Sequence, residues 1–108
     1  MGDRDGFLEF ILGQLASWGG VSSRKMFGGI GLYRDGKMFG LIYGGTAYLK
    51  VDDTNIEQFK MAGSKPFKPY DNRPMTMSYF EVPPDVLEDP DKMVQWAAQS
   101  LAIQKKSK

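Results

Sequence analysis

A segment in the second half of the chain alternates basic with aromatic side chains. Its members are Phe59, Lys60, Lys65, Phe67, Lys68, Tyr70 and Arg73. Basic groups bind phosphates and aromatic rings stack on bases, so the pattern predicts a module that binds single-stranded nucleic acid through the loop 60–73. The alternative is a solvated loop whose rings pack onto the sheet. With 14 basic and 13 acidic residues the net charge is only +1, which favours this alternative over a dedicated nucleic-acid binder.

The same segment holds the best candidates for contact with a partner protein. We expect them to be exposed, and they include side chains of the kind that interfaces favour. These candidates are Lys65, Lys68, Tyr70 and Arg73.

Catalytic chemistry finds little support in the composition. The chain has no cysteine and no histidine, which removes the thiolate nucleophile, the usual general base near neutral pH and the commonest metal ligands. The acidic residues between Asp85 and Asp91 lack the spacing of a calcium loop and suit the positive end of a helix. Gly29 and Gly31 lack the third glycine and the following helix of a dinucleotide loop. We therefore expect no enzymatic activity, no cofactor, no metal site and no catalytic residues.

The elements that position these residues begin with a strand-rich block from Arg24 to Lys50. Asp35-Gly36 lies between alternating apolar runs and predicts a tight hairpin whose two central residues have positive φ at an exposed edge. Gly44-Gly45 predicts a second reversal before Thr46. The block is therefore predicted to form three consecutive antiparallel strands, the first running through Met26 to Tyr33.

Helices are predicted on both sides of this block. Apolar residues at helical spacing predict a helix from about Arg4 to Trp18, ended by Gly19-Gly20. Thr54 and Glu57 form a capping-box pattern before a short helix that ends near Ala62. Asp89-Pro90 begins a last helix whose inner face is Met93, Trp96, Ala97, Ser100 and Leu101.

One further strand completes the predicted fold. Residues 75–82 alternate well enough for a strand, and a short edge strand is predicted around Phe67. The order α-βββ-α-β(β)-α indicates an α+β two-layer domain, an antiparallel sheet with helices on one face. Both tryptophans, Trp18 and Trp96, are expected to lie mostly buried between helix and sheet.

The second face of the predicted sheet is rich in aromatic residues. Simple alternation places Phe27, Tyr33, Phe39, Tyr43 and Tyr48 opposite the face that carries Met26, Ile30, Met38 and Leu49. A two-layer domain covers only one face of its sheet, and a large apolar patch usually marks an interface. We therefore expect a homodimer.

The 108 residues are expected to form one domain, 1–108, with a frayed basic tail from about residue 103. Acidic residues interrupt the N-terminal segment, which is not expected to be a signal peptide. No apolar run reaches the length of a membrane span. We expect a cytoplasmic protein.

Several sequence blocks together resemble the N-terminal domain of the TfoX (Sxy) competence-regulator family. The blocks are RKMFGGIGLYRDGKMFGLI, TAYLKVDD, GSKPFKPY, MTMSYFEVP and LEDPDKMVQWAAQSL, in this order from about Val21 to Leu101. The resemblance implies a secretion-chaperone-like α+β fold and a non-enzymatic role in transcriptional control. It also implies a partner of the cyclic-AMP receptor protein type at competence promoters, because the family's full-length regulators act as its coactivators. In those regulators a second, helical domain follows, and the family has no established catalytic residues.

Overall fold

The computed structural model describes residues 3–26, 29–67 and 79–106 of the chain. In chain order its elements are α1 (Asp3–Gln14), β1 (Val21–Met26), β2 (Gly29–Arg34), β3 (Lys37–Tyr43), β4 (Thr46–Lys50), α2 (Ile56–Met61), β5 (Tyr79–Glu81), α3 (Pro84–Leu87) and α4 (Pro90–Lys106).

The five strands form one antiparallel sheet in the order β1-β2-β3-β4-β5, so every strand lies beside its neighbour in sequence. The α+β class with an open antiparallel sheet and helices is confirmed. The number of strands between α1 and α2 is corrected from three to four. Met26 and Gly29 are cross-strand partners, so the chain reverses between them instead of continuing as one strand. The intervening Phe27 and Gly28 lie outside the described residues.

Both predicted tight turns are present. Asp35 and Gly36 have φ of 56° and 76°, and they link the paired residues Arg34 and Lys37. Gly44 and Gly45 have φ of 59° and 78° and link β3 to β4 in the same way. Positive φ at both central residues matches the turn to the right-handed twist of the strands, and glycine reaches it without steric cost.

A register irregularity in β3 changes the face on which Phe39 lies. Leu32 pairs with Gly40 and Tyr33 with Met38, so Phe39 is an extra residue in its strand. Such a bulge interrupts strict alternation. Phe39 is fully buried in the helix-side core, and its ring meets the ring of Trp18 edge-on at 5.3 Å. The expectation that Phe39 lies on the second face with Tyr33 is therefore wrong.

The core lies between one face of the sheet and the helices. Ile11 of α1, Leu15 in the turn that follows it, and Met93 and Ala97 of α4 are fully buried in the same cluster as Leu49 of the sheet. The helix α1 ends at Gln14, and a turn follows to Trp18 before Gly19 and Gly20 adopt positive φ.

The two tryptophans pack against this core but remain partly exposed. Trp18 contacts Phe39, and Trp96 of α4 meets the ring of the buried Phe59 edge-on at 4.7 Å. The rest of the predicted inner face of α4 is buried.

The two predicted helix starts differ in outcome. The carboxylate of Asp89 accepts hydrogen bonds from the amides of Asp91 and Lys92, as its position before α4 predicts. The capping box at α2 is wrong, because the hydroxyl of Thr54 donates to Asp52 and the helix begins after Asn55. Of the strand predicted over 75–82, Tyr79–Glu81 is present as β5, and residues 75–78 lie outside the described part.

Candidate functional site

The sheet face opposite the helices carries a group of aromatic residues that we call the tyrosine face. Five members lie in β2 to β5 at positions that alternate with the core positions: Tyr33, Leu41, Tyr43, Tyr48 and Tyr79. The sixth member, Phe67, lies beside β5. The residues of the described helices that join the core pack on the other side of the sheet. Tyr43 is 36% exposed, whereas Leu41 at the centre is only 8% exposed.

Three rings of the tyrosine face form a contiguous cluster. The ring centre of Phe67 lies 4.8 Å from that of Tyr48 and 5.3 Å from that of Tyr43, and both contacts are edge-on. Edge-on pairs at this distance add about 0.5–1.5 kcal/mol beyond the burial of their area. Phe67 thereby joins the segment after α2 to the middle of the sheet.

Two cations lie over other rings of the same face. The guanidinium carbon of Arg24 is 5.4 Å from the ring centre of Tyr33, and Nζ of Lys50 is 5.5 Å from that of Tyr79. Both distances allow a cation–π attraction. Arg24 lies on β1 and reaches Tyr33 on β2, so this pair exists only because the β1–β2 hairpin forms.

Two phenol groups of this face, those of Tyr48 and Tyr79, are held in their neutral form. Burial, and to a smaller extent the neighbouring Tyr33, raises the pKa of Tyr79 to about 12. Burial also raises the pKa of Tyr48, with a contribution from the carboxylate of Glu81 that outweighs a hydrogen bond with Thr46. Near neutral pH these side chains therefore offer rings and hydrogen-bonding hydroxyls, and they are poorly suited to act as phenolate nucleophiles.

Of the four predicted partner-binding residues, the structure describes Lys65. Its side chain is exposed, and its carbonyl oxygen accepts a hydrogen bond of 2.9 Å from the amide of Glu81. Pro66 forms a bridge with Phe80, and the amide of Phe67 donates to the carbonyl of Tyr79 at 2.8 Å. The edge pairing predicted around Phe67 is thus present as a short extension of the sheet. Lys68, Tyr70 and Arg73 lie outside the described residues.

The basic–aromatic segment is divided between two environments. Lys60 is exposed in the last turn of α2, whereas Phe59 is fully buried in the core and contacts Trp96. Phe59 therefore cannot stack on a base, so it takes no part in a nucleic-acid surface formed by the predicted loop 60–73. Phe67 does lie on the tyrosine face.

Residue-level reasoning missed Arg24 and Lys50 as members of this site. Alternation with the core residues Ala47 and Leu49 of β4 is the signal for Lys50, whereas placing Arg24 on this face requires the β1–β2 reversal. Once that reversal is known, the register places Arg24 beside Gly31 and diagonally across from Tyr33, which lies two residues further along β2.

A second concave region lies between the loop before α2 and α4. It measures about 240 Å³, and its polar lining includes Asn55, Gln58 and Gln99. The side-chain amide of Asn55 accepts a hydrogen bond from the backbone N–H of Asp52 and donates one to the carbonyl of Lys50. The side-chain amide of Gln58 donates to that of Gln99 at 2.6 Å. These groups satisfy one another, so the region is explained by its role in packing α2 and α4.

Within the segments that the structure describes, no three carboxylates converge to form a metal-binding group. No helix of those segments is both long and apolar enough to cross a membrane.

The fold and this site define a small α+β domain whose antiparallel sheet is covered by helices on one face and carries tyrosines and cations on the other. The sequence matches the family described as the TfoX N-terminal domain over residues 13–103 of its 108. The chain belongs to that family, which confirms the resemblance of its sequence blocks. No curated protein matches the sequence.

Proposed function

We propose that this chain is a non-enzymatic regulatory domain that acts in transcription by binding another protein in the cytoplasm. The observation that carries the proposal is membership of the TfoX N-terminal domain family over residues 13–103. The partner that this membership favours is an activator of the cyclic-AMP receptor protein type, acting at competence promoters.

The surface we assign to this partner is the segment that begins at Lys65. Lys65 is exposed beside β5, next to a ring cluster that anchors Phe67 to the sheet. Binding energy at interfaces concentrates in a few aromatic and arginine side chains, and charged neighbours set the rate and specificity of association. Lys65, Lys68, Tyr70 and Arg73 provide both kinds of group in a short stretch.

Capture of the purified activator by the purified chain tests this proposal. Charge reversal at Lys65, Lys68 and Arg73 together should abolish capture, because three attractive contacts become repulsive. A matched control reverses the exposed Lys25, Lys37 and Lys92, which changes the net charge equally on other parts of the molecule. Circular dichroism checks that both variants fold. Equal loss of capture in the two variants would assign the effect to total charge instead of this segment.

Single-strand nucleic-acid binding is the second candidate function. The observation in its favour is the pairing of Arg24 and Lys50 with rings on the tyrosine face, since cations and stacking rings together bind single strands. Affinity for DNA or RNA that falls steeply with salt, measured without any partner protein, would establish this function in place of the first.

A further inference from the structure

The charged groups of the tyrosine face are arranged so that the face complements a copy of itself. The cross-strand register places Arg24, Gly31, Leu41, Tyr48 and Glu81 in one row that crosses all five strands. The cation stands on the edge strand β1 and the carboxylate on β5, with the apolar Leu41 midway. Strands are spaced by about 4.8 Å, so the two charges are separated by roughly 19 Å across the sheet.

A two-fold axis that runs parallel to β3 past Leu41 exchanges the two ends of this row. It lays β1 of one copy over β5 of the other, so that Arg24 faces Glu81 of the second copy, and the same contact occurs twice. A rotation preserves the handedness of the sheet twist, so each strand remains aligned with the strand it faces. Aligned packing of two sheets about 10 Å apart is the usual geometry of a β-sandwich.

The neighbouring row supports the same arrangement. Tyr33 and Met38 are cross-strand partners, as are Lys50 and Tyr79, and both pairs lie next to the first row on the same side of it. The same rotation exchanges β2 with β4, which brings Lys50 of one copy towards Tyr33 of the other. A lysine ammonium over a tyrosine ring is attractive, and this cation already lies over a ring within its own chain.

From these rows we infer that two copies of this chain associate face to face through the tyrosine face, with Arg24 of each copy paired to Glu81 of the other. The area available is modest, because five strands span only about 19 Å across the sheet. Interfaces of this size fall at or below the lower end of stable complexes, which predicts a dimer with a dissociation constant in the micromolar range. The inference does not rest on the partner proposed above, although that partner's surface borders this face, because Lys65 lies beside Glu81.

Sedimentation velocity between about 5 and 500 µM tests the dimer. The unmodified chain should shift from monomer to dimer across this range, and Arg24→Glu or Glu81→Arg should each weaken association at least tenfold, because each places like charges opposite one another. The double variant R24E/E81R should restore association, since the pairing is re-formed with reversed polarity. Lys92→Glu, on α4, is the control and should leave association unchanged.

Each other outcome overturns the inference. A chain that stays monomeric at 500 µM has no such interface. A dimer that the single reversals leave intact, or that the double variant fails to restore, uses another surface. A monomer whose Arg24 and Tyr43 resonances shift on addition of single-stranded DNA would assign the face to nucleic acid. Circular dichroism of every variant distinguishes loss of association from loss of fold.

Discussion

Replacement of Phe39 by alanine tests the bulge that sets the two faces of the sheet. Phe39 is fully buried, so Phe39→Ala removes a ring from a closed core and should lower the free energy of unfolding by about 3–5 kcal/mol. Part of this loss is the edge-on contact with Trp18 at 5.3 Å. The loss is a large share of the total stability of a small domain, which is about 5–15 kcal/mol.

The matched variant is Met38→Ala, one residue earlier in the same strand. Met38 is only partly buried, and its backbone carbonyl keeps its hydrogen bond from Gln104 after truncation. The expected cost is below about 2 kcal/mol, because less apolar surface is lost. Unbroken alternation would place Met38 in the core and Phe39 on the second face, and the order of the two costs would then be reversed.

Urea denaturation followed by far-ultraviolet circular dichroism measures both costs. Tryptophan fluorescence adds a local signal, since the ring of Trp18 contacts Phe39. If Phe39→Ala is too unstable to fold, Phe39→Leu retains most of the volume and should cost less, and the comparison is then made with Met38→Leu, which should cost less still. A result in which Met38→Ala costs as much as Phe39→Ala, or more, would refute the assignment of the bulge.

Three further variants follow from other contacts. Asn55→Ala should lower the free energy of unfolding in urea by about 2 kcal/mol, because it removes the hydrogen bond from the Asp52 amide and the one to the Lys50 carbonyl. A cost near zero would show that water replaces both. Gly40→Ala should lower the melting temperature, because an added Cβ would lie 2.7 Å from the carbonyl oxygen of Tyr48; an unchanged melting temperature would contradict this close approach. The folded state holds the Tyr79 proton more tightly than the unfolded chain, where the pKa of a tyrosine is about 10. The free energy of unfolding should therefore be unaffected below pH 10 and fall towards pH 12 by about 1–2 kcal/mol, after allowance for partial exposure. Tyr79→Phe should remove this decline, and a decline of equal size in the variant would assign it to other groups.

Local signals in the sequence predicted the turns and the last helix because each depends on a few adjacent residues. Asp35-Gly36 and Gly44-Gly45 favour the positive φ of a two-residue hairpin turn, and Asp89 caps α4 through its own carboxylate. The class of fold follows from the same signals. Periodicity alone could not name a domain family. The family resemblance did so, and the match covers residues 13–103.

Features that depend on pairing between distant residues could not be predicted from local sequence signals. Glycines after Met26 suit either a smooth strand or a reversal, and the cross-strand pairing of Met26 with Gly29 decides between them. The bulge at Phe39 likewise arises from the fit of two strands and a helix-side core. At α2, Thr54 had a competing carboxylate two residues away, and its hydroxyl bonds Asp52 instead of the helix.

The tyrosine face was predicted in part. Alternation placed Tyr33, Tyr43 and Tyr48 on it correctly, because the β2–β3–β4 register brings them to one side. Its cations were missed, since Arg24 joins the face only through the unpredicted hairpin.

Transcription in vitro with purified components tests the proposed function most directly. The template is a competence-type promoter, with RNA polymerase and an activator of the cyclic-AMP receptor protein type from the same organism. Transcript should rise only when the chain and the activator are both present, and the charge-reversed variant at Lys65, Lys68 and Arg73 should fail to raise it. Transcription that is unchanged by the chain, or changed equally without the activator, would contradict a role that depends on a protein partner.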